Sequence, residues 1–221
     1  MIPEEEFKPI LEEIRKQAIY QNPDRVLAGA GRSQVFGVVG RRCLPPDYSR
    51  FCWLRPYLYK LLLDFGAKHC PFPFTSITVN QNYQAAAHRD KNNKGQSFLV
   101  AFGDYTGGEL EILEGDRKGT HNIRHTPIID DFSKVLHAVR PFTGERISLV
   151  YYNYHHPRKQ WDVTIPPPSI REKDGKLLFY RGEECITNGL PHPLKGVSKS
   201  YYKNKRNILS NTNASPFFEN S

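Results

Sequence analysis

The stretch His88-Arg89-Asp90-Lys91-Asn92-Asn93-Lys94-Gly95 sets an imidazole and a carboxylate two positions apart. Two unrelated chemistries use that spacing. In phosphoryl transfer, the aspartate of a His-Arg-Asp loop positions the attacking hydroxyl. In a metal site, side chains at i and i+2 of an extended segment point the same way, so His88 and Asp90 can grip one ion from one strand end.

The protein-kinase version of the first chemistry makes further demands, and the chain fails them. The magnesium-binding Asn expected five residues after the Asp is Gly95. The glycine loop is half present at Gly29-Ala30-Gly31, with Gln34 at its third glycine position. No lysine strand of the Val-Ala-Ile-Lys type occurs, and Asp131-Phe132-Ser133 lacks the glycine of Asp-Phe-Gly. Only 87 residues precede the motif, too few for a complete N-lobe.

The metal chemistry needs a third ligand from a distant strand. Two histidines and one carboxylate leave three positions open on an octahedral Fe(II), the facial triad of non-haem oxygenases. Of the 8 histidines, His137 stands apart because Arg146-Ile147-Ser148 begins nine residues later, at the head of a β-rich run. Arg146 and Ser148 share a strand face, where a guanidinium fork and a hydroxyl can hold one carboxylate. His125 is the substitute for His137 as ligand, and Arg140 the substitute for Arg146.

These residues need a scaffold. Residues 4–20 space Phe7, Ile10, Leu11, Ile14 and Ala18 at helical intervals, with acidic residues at the positive end of the dipole. A glycine-rich hinge then leads into a β-branched run, and a second amphipathic helix is expected over 54–66, stopped by Gly66. From residue 74 the segments TSITVNQNY, QSFLVAFGD, GELEILEG, KVLHAV and RISLVYYNY are short, β-rich and separated by turn signals. This predicts an antiparallel sandwich or jelly roll faced by N-terminal helices. Beyond Trp161, TIPPPSI reads as a proline stop, KDGK as a hairpin turn and LKGVSKSYYKNKRN as a basic tail. The expected division is an N-terminal helix in 1–28, a β domain in 29–160 and a less regular basic extension of that domain in 161–221.

The pattern His88-x-Asp90, His137 47 positions on, then Arg146-x-Ser148 resembles the Fe(II)/2-oxoglutarate-dependent dioxygenases. Their fold, a double-stranded β-helix, agrees with the strand pattern. VNQNYQAAAHRDKNN and FGDYTGGEL further resemble the nucleic-acid branch of that superfamily, the TET 5-methylcytosine oxygenases and the thymine-hydroxylating J-binding proteins. The resemblance covers about residues 75–155 and says little about the tail.

The resemblance implies that His88, Asp90 and His137 hold Fe(II), leaving room for 2-oxoglutarate and O2. It implies that Arg146, assisted by Ser148, takes the far carboxylate of 2-oxoglutarate. Asn80 and Asn82 alternate onto one strand face and are expected to hydrogen-bond the cosubstrate, while Tyr83 is core or site. Asn93 occupies an offset that contacts the target base in TET-like enzymes, and the amide chemistry suits it. Their base-contacting His falls here at Tyr154, one residue before His155 and two before His156. Arg32, Arg41, Arg42 and Lys91 are candidates for phosphate contacts. The implied reaction is oxidation of the 5-methyl group of a pyrimidine, with protein or small-molecule hydroxylation, or non-catalytic binding of nucleic acid, as alternatives.

Composition agrees with an anionic partner. Lys plus Arg exceed Asp plus Glu by 31 to 23, for a net charge of +8. DNA is expected more than RNA, and a monomer with no membrane contact. Cys43, Cys52, Cys70 and Cys185 form no CxxC pair, and the acidic start MIPEEEF is no signal peptide, so an intracellular, cytoplasmic or nuclear setting is expected.

Overall fold

The computed structural model describes residues 1–19, 29–41, 44–155 and 168–186. After a 3-10 turn at Glu4–Glu6, the helices are α1 (Lys8–Lys16), α2 (Phe51–Leu54) and α3 (Pro56–His69). The strands in chain order are β1 (Gly29–Arg41), β2 (Leu44–Tyr48), β3 (Ser76–Ala85), β4 (Asn93–Phe102), β5 (Tyr105–Gly107), β6 (Leu110–Ile112), β7 (Gly119–His121), β8 (Ile128–Asp130), β9 (His137–Val139), β10 (Phe142–Gly144), β11 (Ile147–Tyr154), β12 (Pro168–Lys173), β13 (Lys176–Arg181) and β14 (Glu184–Ile186).

A larger sheet runs β2-β1-β3-β11-β4-β8, and every neighbouring pair in it is antiparallel. A smaller sheet runs β7-β6-β9, extended by a bridge from β9 to the segment at His88 and continued by the pair β5–β10. Along the chain the path crosses repeatedly between the sheets: β3, the His88 segment, β4, β5–β7, β8, β9–β10, β11. That alternation is a double-stranded β-helix, a mainly β fold with helices packed on one side.

Period-two alternation divides the larger sheet into two faces. Phe36, Ile77, Val79, Phe98, Val100, Phe102, Leu149 and Tyr151 point outward and pack with Phe7, Ile10 and Ile14 and with Leu58, Tyr59, Leu62 and Phe65 of α3. Leu99 and Ala101 point between the sheets, towards Leu110, Ile112 and Phe132. The inner face is where a site can open.

The second helix runs past Gly66, which sequence reading makes its stop. Gly66 is a contact residue instead: a Cβ there would lie 2.5 Å from the Tyr151 ring and 2.6 Å from Phe74. The turn expected at KDGK is present, with Asp174 and Gly175 at φ +53° and +71° between β12 and β13. Phe179 and Ile186 of the small sheet β12-β13-β14 join the helical core. Asp47 ties that sheet down, ion-paired to both Arg181 and, at 2.5 Å, Arg41. Of the TIPPPSI stretch, residues 164–167 lie outside the described residues and Pro168 opens β12; the basic tyrosine-bearing tail also lies outside them. Among the described residues, no helix is long and apolar enough to cross a membrane.

Candidate metal and cosubstrate site

His88 follows β3 and His137 opens β9, and the two are cross-strand neighbours. The N–H of His88 donates to the carbonyl of His137 at 2.9 Å, and that of His137 returns the bond at 3.0 Å. Asp90 sits in the turn before β4, its N–H donating to the Phe132 carbonyl at 2.9 Å. The ligand atoms of His88, Asp90 and His137 all lie within 4.8 Å of one another.

Both imidazoles have their protons placed by the backbone. Nδ1 of His88 lies 2.7 Å from the Ala86 carbonyl, and Nδ1 of His137 lies 3.0 Å from the Val135 carbonyl. A carbonyl only accepts, so each Nδ1 carries the proton and each Nε2 becomes the ligand atom, that of His88 3.4 Å from Asp90 Oδ1. Burial pushes the His137 imidazole below its usual pKa, which favours the neutral ligating form. Two imidazoles and one carboxylate are a donor set that suits a divalent iron.

The site lines a cavity of about 540 Å³ between the sheets. Arg146 also lines it, yet is 1% exposed. Its Nε donates to the Gly108 carbonyl at 3.1 Å, and the guanidinium lies over the rings of Tyr105 and Phe142. Its Nη2 is buried without a hydrogen-bond partner, and among the described residues no carboxylate stands within ion-pair distance. Burial lowers its pKa, but a guanidinium remains charged. A buried cation without an anion is costly, and a ligand carboxylate would satisfy it. Ser148 and Asn80 line the same cavity, the Asn80 Nδ2 donating to Ser148 Oγ at 3.3 Å, while Asn80 Oδ1 is buried and unpartnered.

Other expectations are corrected by local geometry. Asn82 does not share Asn80's face. A bulge opposite Gly31 puts Asn82 at φ +50°, and its Oδ1 accepts from the Arg146 N–H at 2.8 Å. Tyr83 takes the inward position and lines the cavity. Arg32 pairs with Gln81, whose side chain faces the N-terminal segment and accepts from the Ile19 N–H at 3.1 Å. Directly opposed residues share a face, so Arg32 points away from the cavity. His155 is exposed and outside the cavity, because alternation along β11 sends Tyr152 and Tyr154 inward instead. His125 stacks on Phe7, 5.0 Å between ring centres, and Arg140 is exposed beside Thr120. Arg41 pairs with Asp47, Lys91 is exposed at the cavity, and Arg42 and His156 lie outside the described residues.

Asn93 lines the cavity, its Nδ2 donating to Asp90 Oδ2 at 3.2 Å and to Ser97 Oγ at 3.1 Å. Ser97, the partner of Asn93, and Tyr152, which lines the cavity, are the residues that sequence reading did not place there. Alternation inward from Leu99 on β4 was the available signal for Ser97.

No family profile matches the chain, and no curated protein matches it. Among solved structures the chain is similar to NgTET1 in complex with 5mC DNA, at 15% identity over 69% of each chain and a TM-score of 0.47. It is also similar to an oxidoreductase of the 2OG-Fe(II) oxygenase family from Burkholderia pseudomallei, at 18% identity over 70% of this chain and 82% of that one, with a TM-score of 0.47. A third is a Pseudomonas putida prolyl-4-hydroxylase, at 16% identity over 70% of this chain and 89% of that one, with a TM-score of 0.44.

Proposed function

We propose that the protein is an Fe(II)/2-oxoglutarate-dependent dioxygenase that oxidises the 5-methyl group of a pyrimidine in nucleic acid. One observation carries the enzyme class: a single cavity holds the convergent side chains of His88, Asp90 and His137 together with a buried guanidinium, Arg146, that lacks an anion. Bound Fe(II) would supply the redox chemistry, with 2-oxoglutarate and O2 giving succinate, CO2 and one hydroxyl on the substrate carbon.

The chain's own groups do the positioning. Nε2 of each histidine and the Asp90 carboxylate face one point, and Arg146 with Ser148 receives the far carboxylate of 2-oxoglutarate. Apolar side chains in the cavity wall, Leu99, Leu110, Ile123 and Val150 among them, help keep water from the reacting centre.

The substrate assignment rests on the cavity's other contents and on charge. Asn93 lines the cavity, the exposed Lys91 stands at it with Lys94 nearby in sequence, and the chain carries a net +8. A methyl group stacked in a duplex cannot reach the centre, so the base must flip into the cavity. The test is mass spectrometry of succinate and of digested nucleosides after incubation with Fe(II), 2-oxoglutarate, and DNA or RNA carrying thymine or 5-methylcytosine. Hydroxymethyl pyrimidines are expected. Succinate formation with unmodified bases and a hydroxylated peptide or metabolite would overturn the substrate and leave the enzyme class; no iron-dependent succinate would overturn both.

A further inference from the structure

We propose that Asn93, clamped by Ser97, is a positioning residue that fixes the Asp90 carboxylate and has no amide proton to spare for a substrate. This rests on the reading of Asp90 as an iron ligand.

The carboxylate of Asp90 has two oxygens with different neighbours. Oδ1 lies 3.4 Å from His88 Nε2, on the side where an ion would sit. Oδ2 accepts from Asn93 Nδ2 at 3.2 Å. An ionised carboxylate cannot donate, so the amide must turn its NH2 towards Asp90, which fixes the orientation of an otherwise ambiguous group. The same nitrogen reaches Ser97 Oγ at 3.1 Å, and Ser97 is fully buried in β4. Both protons of the NH2 group are thereby committed, one to each oxygen.

The backbone adds a second hold, since the Asn93 N–H donates to the Asp90 carbonyl at 2.9 Å. Asp90, Asn93 and Ser97 therefore form one turn-to-strand unit. It engages Oδ2, so a bound ion would be held through Oδ1, with Oδ2 occupied by the amide. Such orienting partners of a ligand are worth about 10–100-fold in metal affinity or activity. Asn93 lines the cavity, and among the described residues its Oδ1 makes no hydrogen bond. Towards a substrate it is an acceptor only, which fits a ring N–H or exocyclic amino group and excludes a lone carbonyl.

Co(II) titration, followed by visible absorption of the bound ion, reads the positioning role without turnover. Asn93→Leu keeps the volume and loses the donors; a rise in the Co(II) dissociation constant of about 10–100-fold with a changed absorption band is expected. Ser97→Ala frees the amide to swing, and a smaller shift in the same direction is expected. Thermal melting confirms that each variant is folded, and if Asn93→Leu is not, Ser97→Ala decides. Unchanged Co(II) affinity and spectrum in the folded variants would overturn the proposal. Co(II) binding that depends on His88, in a protein that makes no succinate, would sink the proposed function while leaving this positioning role intact.

Discussion

The main chains of His88 and His137 hydrogen-bond to each other in both directions, at 2.9 and 3.0 Å. Two ligands far apart in sequence are thus registered by the same ladder that closes the smaller sheet. The candidate metal site is built on paired backbone, so ion binding is expected to be read out directly as stability.

At about a hundredfold excess over its dissociation constant, an ion is worth about 2.7 kcal/mol to the folded state. For a chain of this size that is a rise in melting temperature of roughly 5–10 °C. Adding Co(II) or Mn(II) should produce it, a chelator should reverse it, and His88→Ala should abolish it. Scanning calorimetry with and without chelator is the check; an equal shift in His88→Ala would remove the triad as the binding site.

Arg146→Met should separate stability from function. It replaces a buried guanidinium whose Nη2 has no partner with an apolar side chain of similar length. Exchanges of buried charge for apolar groups are often stabilising by about 1–4 kcal/mol. The ligand-free variant should melt higher and lose 2-oxoglutarate binding. Arg146→Lys keeps the charge without the fork, and its 2-oxoglutarate KM should rise about 10–100-fold with metal affinity retained.

Asn82 tests how Arg146 is held. Its left-handed backbone and its bond to the Arg146 N–H contribute separately. Asn82→Gly keeps the conformation and loses the bond, at a cost of about 1 kcal/mol, whereas Asn82→Ala adds strain for about 2 kcal/mol or more. Both should raise the 2-oxoglutarate KM. Denaturant melts and steady-state kinetics separate the two effects, and equal melts for Gly and Ala would dismiss the backbone contribution.

Phe7 is 2% exposed and stacks on Phe102 at 4.7 Å, with Phe65 at 5.1 Å. Phe7→Ala should cost about 3–5 kcal/mol. A loss below about 1 kcal/mol in urea unfolding would mean that α1 does not belong to the cooperative core.

Burial pushes the Cys52 thiol up to about 12, and it lies against Gly37 beneath Tyr59. At pH 8 almost none is thiolate, so native Cys52 should resist alkylation that labels it fully in denaturant. Peptide mapping by mass spectrometry after iodoacetamide measures this.

The strand alternation was legible because packing on α3 and enclosure of the cavity demand it: Phe98, Val100 and Phe102 on one side, Leu99 and Ala101 on the other. His88, Asp90 and His137 were legible for a related reason, since ligand type and spacing are properties of the chain itself. What sequence could not give was the effect of one bulge. The irregularity beside Gly31 moves Asn82 off the face and Tyr83 onto it, and it depends on a cross-strand partner some fifty positions away. The face of Arg32, a candidate phosphate contact on charge alone, is likewise set by pairing with Gln81 and cannot be read from its own surroundings. The very short strands β5, β7 and β10 carry too few residues to show a period at all.

Asp47, shared by Arg41 and Arg181, bears on where the chain can be cut. A protein shortened to residue 160 keeps every candidate metal and cosubstrate residue, yet it removes Arg181 from the carboxylate and lifts Phe179 from Tyr48, Trp53 and Tyr59. The three rings would then face water beside the already exposed Leu54 and Tyr57, forming a sticky patch on the side opposite the cavity. Minimal versions of this protein should therefore retain residues up to 186, or they will precipitate although every candidate metal and cosubstrate residue is kept.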